Sequence, residues 1–240
     1  GHLDVINNFS PDALRDYYNK WYRPDLQAVV VVGDVDVNVI ESQIKRQFGG
    51  LSLPPNAPQR RYYPVADNKR MITHVMRDAE QPIALAHLYM KRDVKPTSVR
   101  SSEHYQQEIY EHDLICLMLN ERLSKQQSGA KAPFTAASVK DGKFLIVQTK
   151  KAFSLSVSCK RDQIEAGLSA AVGLLEQARQ WGFTTGELTR AKAILRNKAE
   201  RCNNQRGQLA NHHYVKQCLD HYLYGEPILS TAEELHVRRK

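Results

Sequence analysis

Cysteine is too sparse and too scattered in this sequence to build a metal or redox framework. Cys116, Cys159, Cys202 and Cys218 form no C-x-x-C pair, which excludes zinc-ribbon and thioredoxin-like arrangements. Cys116 and Cys159 fall on apolar faces, where cysteine packs as a small hydrophobe. Long apolar runs are also missing. No window approaches the roughly 18–20 residues that carry a helix across a bilayer. No Gly-rich loop ends in Gly-Lys-Ser/Thr, and neither G-x-G-x-x-G nor G-x-S-x-G occurs, so the sequence offers no phosphate cradle and no nucleophile elbow. Neither H-E-x-x-H nor H-x-x-E-H is present. The nearest approach is Glu111-His112, where Glu108 stands in the place a histidine must occupy. The first residues, Gly1-His2-Leu3-Asp4, have no initiator Met and no basic-then-apolar leader pattern, and the expectation is a piece of a longer polypeptide.

What is present is ordinary globular material. The 240 residues are 42% hydrophobic and 25% charged, enough to bury a core in one large or two small domains. Lys and Arg exceed Asp and Glu by 34 to 26, a net charge of +8. The basic residues are spread along the chain in short clusters such as Arg60-Arg61 and Arg238-Arg239-Lys240. That is a solvated basic surface rather than a nucleic-acid stripe, so nucleic acid is the weakest partner reading.

Punctuation along the chain gives the elements. Ser10 caps a helix whose first position is Pro11, where a missing N–H costs nothing. That helix is expected to end before Arg23-Pro24. Ala28 to Val32 is an uninterrupted apolar, mostly β-branched run closed by Gly33-Asp34, which predicts a strand buried on both faces. Asp36 caps the next helix, ending at Gly49-Gly50. Residues 1–50 thus read as a helix–strand–helix unit. Residues 51–68 hold Pro54, Pro55, Pro58 and Pro64 without periodicity and read as a linker, its Tyr62 and Tyr63 packed against the flanking domains.

Residues 69–240 change character. Met71 to Arg77 and Ile83 to Met90 predict strands. Glu103 to Gln126 predicts a helix with one stripe of Tyr105, Ile109, His112, Cys116, Leu119 and Leu123. Asp141-Gly142 predicts a two-residue hairpin turn between strands at 134–140 and 143–150. Phe153, Leu155, Val157 and Cys159 alternate with Ser154, Ser156 and Ser158, which predicts an antiparallel strand with one apolar and one polar face. Helices follow over 162–180, from the capping box of Thr184 and Glu187, over 207–224, and from Ser230. Strands and helices in blocks define an α+β fold: a mixed, largely antiparallel sheet with helices on one face.

Two histidine groups invite a metal reading. His104, Glu108 and His112 share one helix face, but i, i+4, i+8 spacing spreads three ligands over about 12 Å, too far to converge on one ion. In the second group Cys218 and His221 lie one turn apart, while His212 and His213 point elsewhere. Neither group is assigned a metal. No catalytic residue is assigned, and no substrate-binding residue is identified.

The stretches Phe9-Ser10-Pro11, Leu14-Arg15-Asp16-Tyr17-Tyr18, Lys20-Trp21-Tyr22-Arg23-Pro24-Asp25 and Ala28-Val29-Val30-Val31-Val32-Gly33-Asp34 closely resemble the pitrilysin/insulinase (M16) family of zinc metallopeptidases. There a tyrosine-rich helix, a Y-x-P-(D/N) turn and a V-V-V-G-D strand close one α+β repeat. Trp181-Gly182-Phe183-Thr184, Glu187-Leu188 and Arg190-Ala191-Lys192 resemble a G-(F/V)-T-x-x-E-L-x-x-A-K stretch of the next repeat. The resemblance implies the metallohydrolase fold, seen also in mitochondrial processing peptidases. The family's H-x-x-E-H zinc site lies upstream of these stretches, so no cofactor is expected in this segment and zinc is expected in the parent chain. It further implies that the partners are the remaining repeats of the same polypeptide and an unfolded peptide, confined in a chamber that this segment helps to wall. A catalytically silent scaffold homologue is the alternative. The long bacterial members suggest a periplasmic setting. Because the second repeat stops where its own helix–strand–helix unit is due, residues 10–48 are expected to dock into that slot, in their own molecule or by exchange into a swapped dimer.

Overall fold

The computed structural model describes residues 2–129 and 131–240. In chain order the elements are α1 (Leu3–Asn8), α2 (Pro11–Trp21), α3 (Val37–Phe48), β1 (Ala84–Asp93), α4 (Thr97–Arg100), α5 (Glu103–Gln127), β2 (Ala136–Lys143), β3 (Lys150–Cys159), α6 (Ile164–Trp181), α7 (Thr185–Asn204), α8 (Asn211–Tyr224) and α9 (Thr231–Arg239). They fall into two compact units, Gly1–Arg61 with Ala210–Leu223, and Tyr62–Leu209 with Tyr224–Lys240.

In the first unit the local signals hold. Ser10 Oγ accepts the Asp12 N–H at 3.2 Å and Pro11 opens α2. Asp36 Oδ1 accepts from Asn38 N at 2.8 Å and Val39 N at 3.2 Å, capping α3. Tyr18 and Tyr22 stack, one turn apart, at 4.9 Å. The expected strand at 28–32 does not form: these residues run between the 3-10 turn Pro24–Leu26 and α3 without a ladder partner. Val29 and Val31 are about half exposed, so the double-sided burial is absent too. A strand is defined by the neighbour that hydrogen-bonds it, and β-branched composition supplies none. Within one chain, residues 28–32 have no ladder in the second unit's sheet, all three strands of which come from residues 84–159. Arg23 is the one residue of this unit, among those described, in the buried class, 3% exposed, with its Nη2 donating to Asp25 at 3.0 Å.

The second unit holds the core. Its sheet has the order β1-β3-β2 and both pairings are antiparallel. Leu155, Val157 and Cys159 are essentially inaccessible and pack with Leu119, Leu123, Phe134, Val139 and Ala171. At β3 the helix α6 approaches so closely that a Cβ on Gly167 would lie 2.3 Å from Cys159 Sγ and 2.8 Å from the Pro133 carbonyl. Only glycine permits that contact. The α5 stripe is wider than expected. Besides Leu119 and Leu123 it buries Tyr110, Leu114 and Met118, which meet Ala191 of α7.

Two further strand expectations are corrected. Residues 71–77 form no strand, and Met71, Ile72, Val75 and Met76 are largely exposed. Asp141-Gly142 is not a turn: β2 continues through it, with Asp141 opposite Phe153 and Gly142 opposite Ala152. The hairpin loop is instead 144–149, and its left-handed residue is Leu145 at φ 50°. A type I′ turn at Asp141-Gly142 would need positive φ at both, and neither has it. The reason is tertiary. The Asp141 carboxylate accepts both ends of the Arg92 fork at 2.5 and 2.6 Å and contacts His112 Nδ1 at 2.6 Å. Tyr62 and Tyr63, expected to pack, are exposed.

Candidate functional site: the open face of the sheet

Strict alternation along three registered strands sorts side chains to two faces with different chemistry. On the helix side Leu155, Val157 and Cys159 enter the core, and Phe153 packs against it. Ser154, Ser156 and Ser158 point the other way and are partly exposed, as the sequence pattern predicted. Register places His87 and Ser138 beside Ser156, Tyr89 and Lys140 beside Ser154, and Leu85 and Ala136 beside Ser158. The result is an open face of hydroxyls, one imidazole, one phenol and two lysines.

Local contacts fix its members. His87 Nδ1 lies 2.9 Å from Ser156 Oγ, and the His87 ring stacks on Tyr89 at 6.2 Å. Tyr89 meets Phe144, from the hairpin loop, edge-on at 5.5 Å. The Lys91 ammonium lies 5.8 Å from the Phe144 ring centre and donates to the Ala66 carbonyl at 2.8 Å. Ser154 Oγ donates to the Lys140 carbonyl at 3.0 Å. Farther along, Asp93 and Asp67 both bind Lys150 Nζ, at 2.8 and 2.7 Å. On the β2 edge Asn120 of α5 caps Val139: its amide donates to the Val139 carbonyl at 2.9 Å and accepts the Val139 N–H at 2.8 Å.

Behind the sheet the polar groups are structural. Burial would raise the Asp141 carboxyl, but the Arg92 guanidinium, helped by His112, holds it below the usual carboxylate range. Cys116 is pushed up to about 11, chiefly by burial, so its thiol is no nucleophile near neutrality. Glu187 is held down to about 2, first by Arg122, whose Nε and Nη2 donate to it at 2.7 and 2.9 Å. The same carboxylate closes the capping box on Thr184 N and Oγ1. Arg122 also donates to the Gly182 carbonyl and lies over the Phe183 ring at 4.7 Å. This latch joins α5 to the corner between α6 and α7.

The donor sets for zinc do not fit. His112 Nδ1 is engaged by Asp141, and Glu108 contacts Lys95 at 3.4 Å. His212, His213, Cys218 and His221 are spread along α8. Among the described residues no three His, Cys, Asp or Glu side chains are grouped to hold a metal. None of their helices is long and apolar enough to cross a membrane.

The three-stranded antiparallel sheet with helices on one face defines a domain of α+β type. The chain belongs to the Peptidase M16 inactive domain family, whose model matches residues 8–195. It is similar to the probable zinc protease PqqL of Escherichia coli (strain K12), at 22% identity over all of this chain and 25% of that protein. In three dimensions it is similar to the first half of the periplasmic protease PqqL from Escherichia coli, with TM-score 0.80, 22% identity, and coverage of 100% of this chain and 50% of that one. A predicted insulinase family protease from Yersinia pestis gives TM-score 0.77 at 15% identity, over 95% of this chain and 48% of that one. The chain therefore spans about a quarter of the length of the PqqL protein it matches.

Proposed function

We propose that this chain is a non-catalytic segment of a zinc metalloendopeptidase, and that its open sheet face walls a chamber around an unfolded peptide. The observation that carries the reading is the two-faced β3 strand in a domain of the M16 inactive family: partly exposed serines on one face, with the core behind them. A peptide in transit needs polar, hydrogen-bonding surface without a fixed pocket, and serine hydroxyls with His87 supply it. Residues 1–50, the linker 51–68 and the repeat from residue 69 are assigned as consecutive parts of a longer polypeptide, whose other repeats are its partners. Zinc belongs to that parent chain rather than to these residues, and the setting is periplasmic, as for the PqqL relative.

The test uses both forms. The full-length polypeptide is expected to hold one equivalent of zinc by atomic absorption and to cleave unfolded peptides. Residues 1–240 alone, dialysed with zinc, are expected to do neither. Stoichiometric zinc on the short form contradicts the reading, and a zinc-free, inactive full-length chain turns it into the silent scaffold. Salt-dependent retention on DNA would support the basic-module alternative instead.

A further inference from the structure

We propose that the Tyr89–Phe144 end of the open face is a specificity subsite, which takes a peptide aromatic or long aliphatic side chain with a carboxylate close to it in sequence. The inference rests on the reading of this face as peptide-lining and adds the class of peptide preferred.

The apolar half of the argument is Tyr89 and Phe144, set edge to face at 5.5 Å, with the loop continuing into Leu145 and Ile146. Ile146 is 98% exposed, and Leu145 sits at φ 50°, a conformation a branched side chain seldom adopts. A loop that merely turned the chain would carry glycine or asparagine there. This one presents apolar side chains beside an aromatic pair, and an aromatic ring offered to them gains both area and edge-to-face geometry.

Charge decides the rest. Lys91 and Lys140 have no ion-pair partner among the described residues, and Lys91 Nζ has only the Ala66 carbonyl as its hydrogen-bond acceptor. Asp67 and Asp93, the acids near this end, are bound by Lys150, and the Asp67 carboxylate also lies in the field of Lys91. An incoming carboxylate therefore finds its free cation at Lys140, with Lys91 adding attraction that Asp67 partly offsets, and an incoming lysine or arginine meets repulsion from Lys140. The hydroxyls of Ser154 and Ser156 and the His87 ring supply polar contacts for the peptide backbone between the two anchors.

The test is fluorescence anisotropy with the full-length polypeptide and fluorescein-labelled ten-residue peptides that carry Phe-Asp, Phe-Lys or Ala-Asp at the centre of a Gly/Ser sequence. The Phe-Asp peptide is expected to bind about tenfold more tightly than Phe-Lys and about fivefold more tightly than Ala-Asp, a range set by exposed charge and ring contacts. Lys140→Glu, at an exposed and unpaired position, should cut the Asp-over-Lys preference at least threefold and leave the melting temperature unchanged. Phe144→Ala should remove the Phe-over-Ala preference. Equal binding of Phe-Asp and Phe-Lys by the wild type, or a ratio untouched by Lys140→Glu, overturns the subsite. A Ser156→Trp variant separates the two levels. If it loses peptide binding while the wild type shows no Asp preference, the subsite falls and the lining stands. If it binds all three peptides like the wild type, the lining itself falls and the subsite with it. Sedimentation with phosphatidylglycerol vesicles that is lost in Ile146→Asp, without peptide discrimination, would assign the loop to a lipid surface and also overturn the proposal.

Discussion

The two units of this chain obey the same local rules and end in different states. Both contain capped helices and strongly apolar runs. In the second unit those runs find each other, and the buried apolar side chains, from Tyr105 to Leu235, are all there. In the first unit no described apolar residue reaches the buried class, although Ala28 to Val32 is five apolar residues in a row. Local propensity places a helix or an extended segment, whereas burial requires a partner, and the hydrophobic effect rewards only area removed from water.

Substitutions that probe this contrast range widely in expected effect. Leu155→Ala, at a site 1% exposed, is expected to destabilise the second unit by about 2–5 kcal/mol, and Val31→Ala, 48% exposed, to change stability by no more than about 0.5 kcal/mol. Equal effects in urea unfolding would erase the distinction. Next is the latch: Glu187→Gln breaks a mostly buried charge pair with Arg122 and should cost about 3 kcal/mol. Its pH dependence has a definite sign. The folded carboxyl, held down to about 2 from 4.5, contributes stability that is complete above about pH 4.5 and is lost as pH falls from there towards 2. The wild type should therefore lose more stability than Glu187→Gln on acidification through that window, as thermal melts at stepped pH will read.

Gly167→Ala reverses the usual helix preference. Alanine ordinarily stabilises a helix interior, but here its Cβ would collide with Cys159 Sγ and the Pro133 carbonyl. A loss of about 1–3 kcal/mol is expected, and a raised melting temperature would contradict the close packing. A smaller loss is expected at a helix cap of the first unit. Asp36→Ala removes an exposed cap from α3 and should cost about 1 kcal/mol, seen as faster amide exchange confined to α3.

The same contrast explains what was legible in the sequence. Ser10-Pro11, Asp36, the Thr184–Glu187 box and the Ser230–Glu233 box each act within a few residues, and every one marks a helix start. The serine alternation was legible because a period of two fixes facing once a core exists. The strands expected at 28–32 and 71–77 were not, because composition says nothing about a ladder partner. Asp141-Gly142 misled for a related reason: a local turn signal yielded to Arg92, 49 residues away, and to His112. The second buried face of α5 went unseen because Tyr110, Leu114 and Met118 follow a stripe of their own beside the first. On the open face the serines were visible from sequence, whereas His87, Tyr89, Lys91 and Phe144 became neighbours only through register.

Facing is therefore the property on which the functional account depends, and crosslinking reads it directly. A photoreactive p-benzoylphenylalanine is placed in the full-length polypeptide at Ser156, on the open face, or at Ser169, exposed on α6. Each protein is irradiated with a labelled unfolded peptide. Strong labelling from position 156 that excess unlabelled peptide abolishes, with background labelling from position 169, is the predicted result. Equal labelling from both positions, or none from position 156, would contradict a peptide-lining role for this sheet.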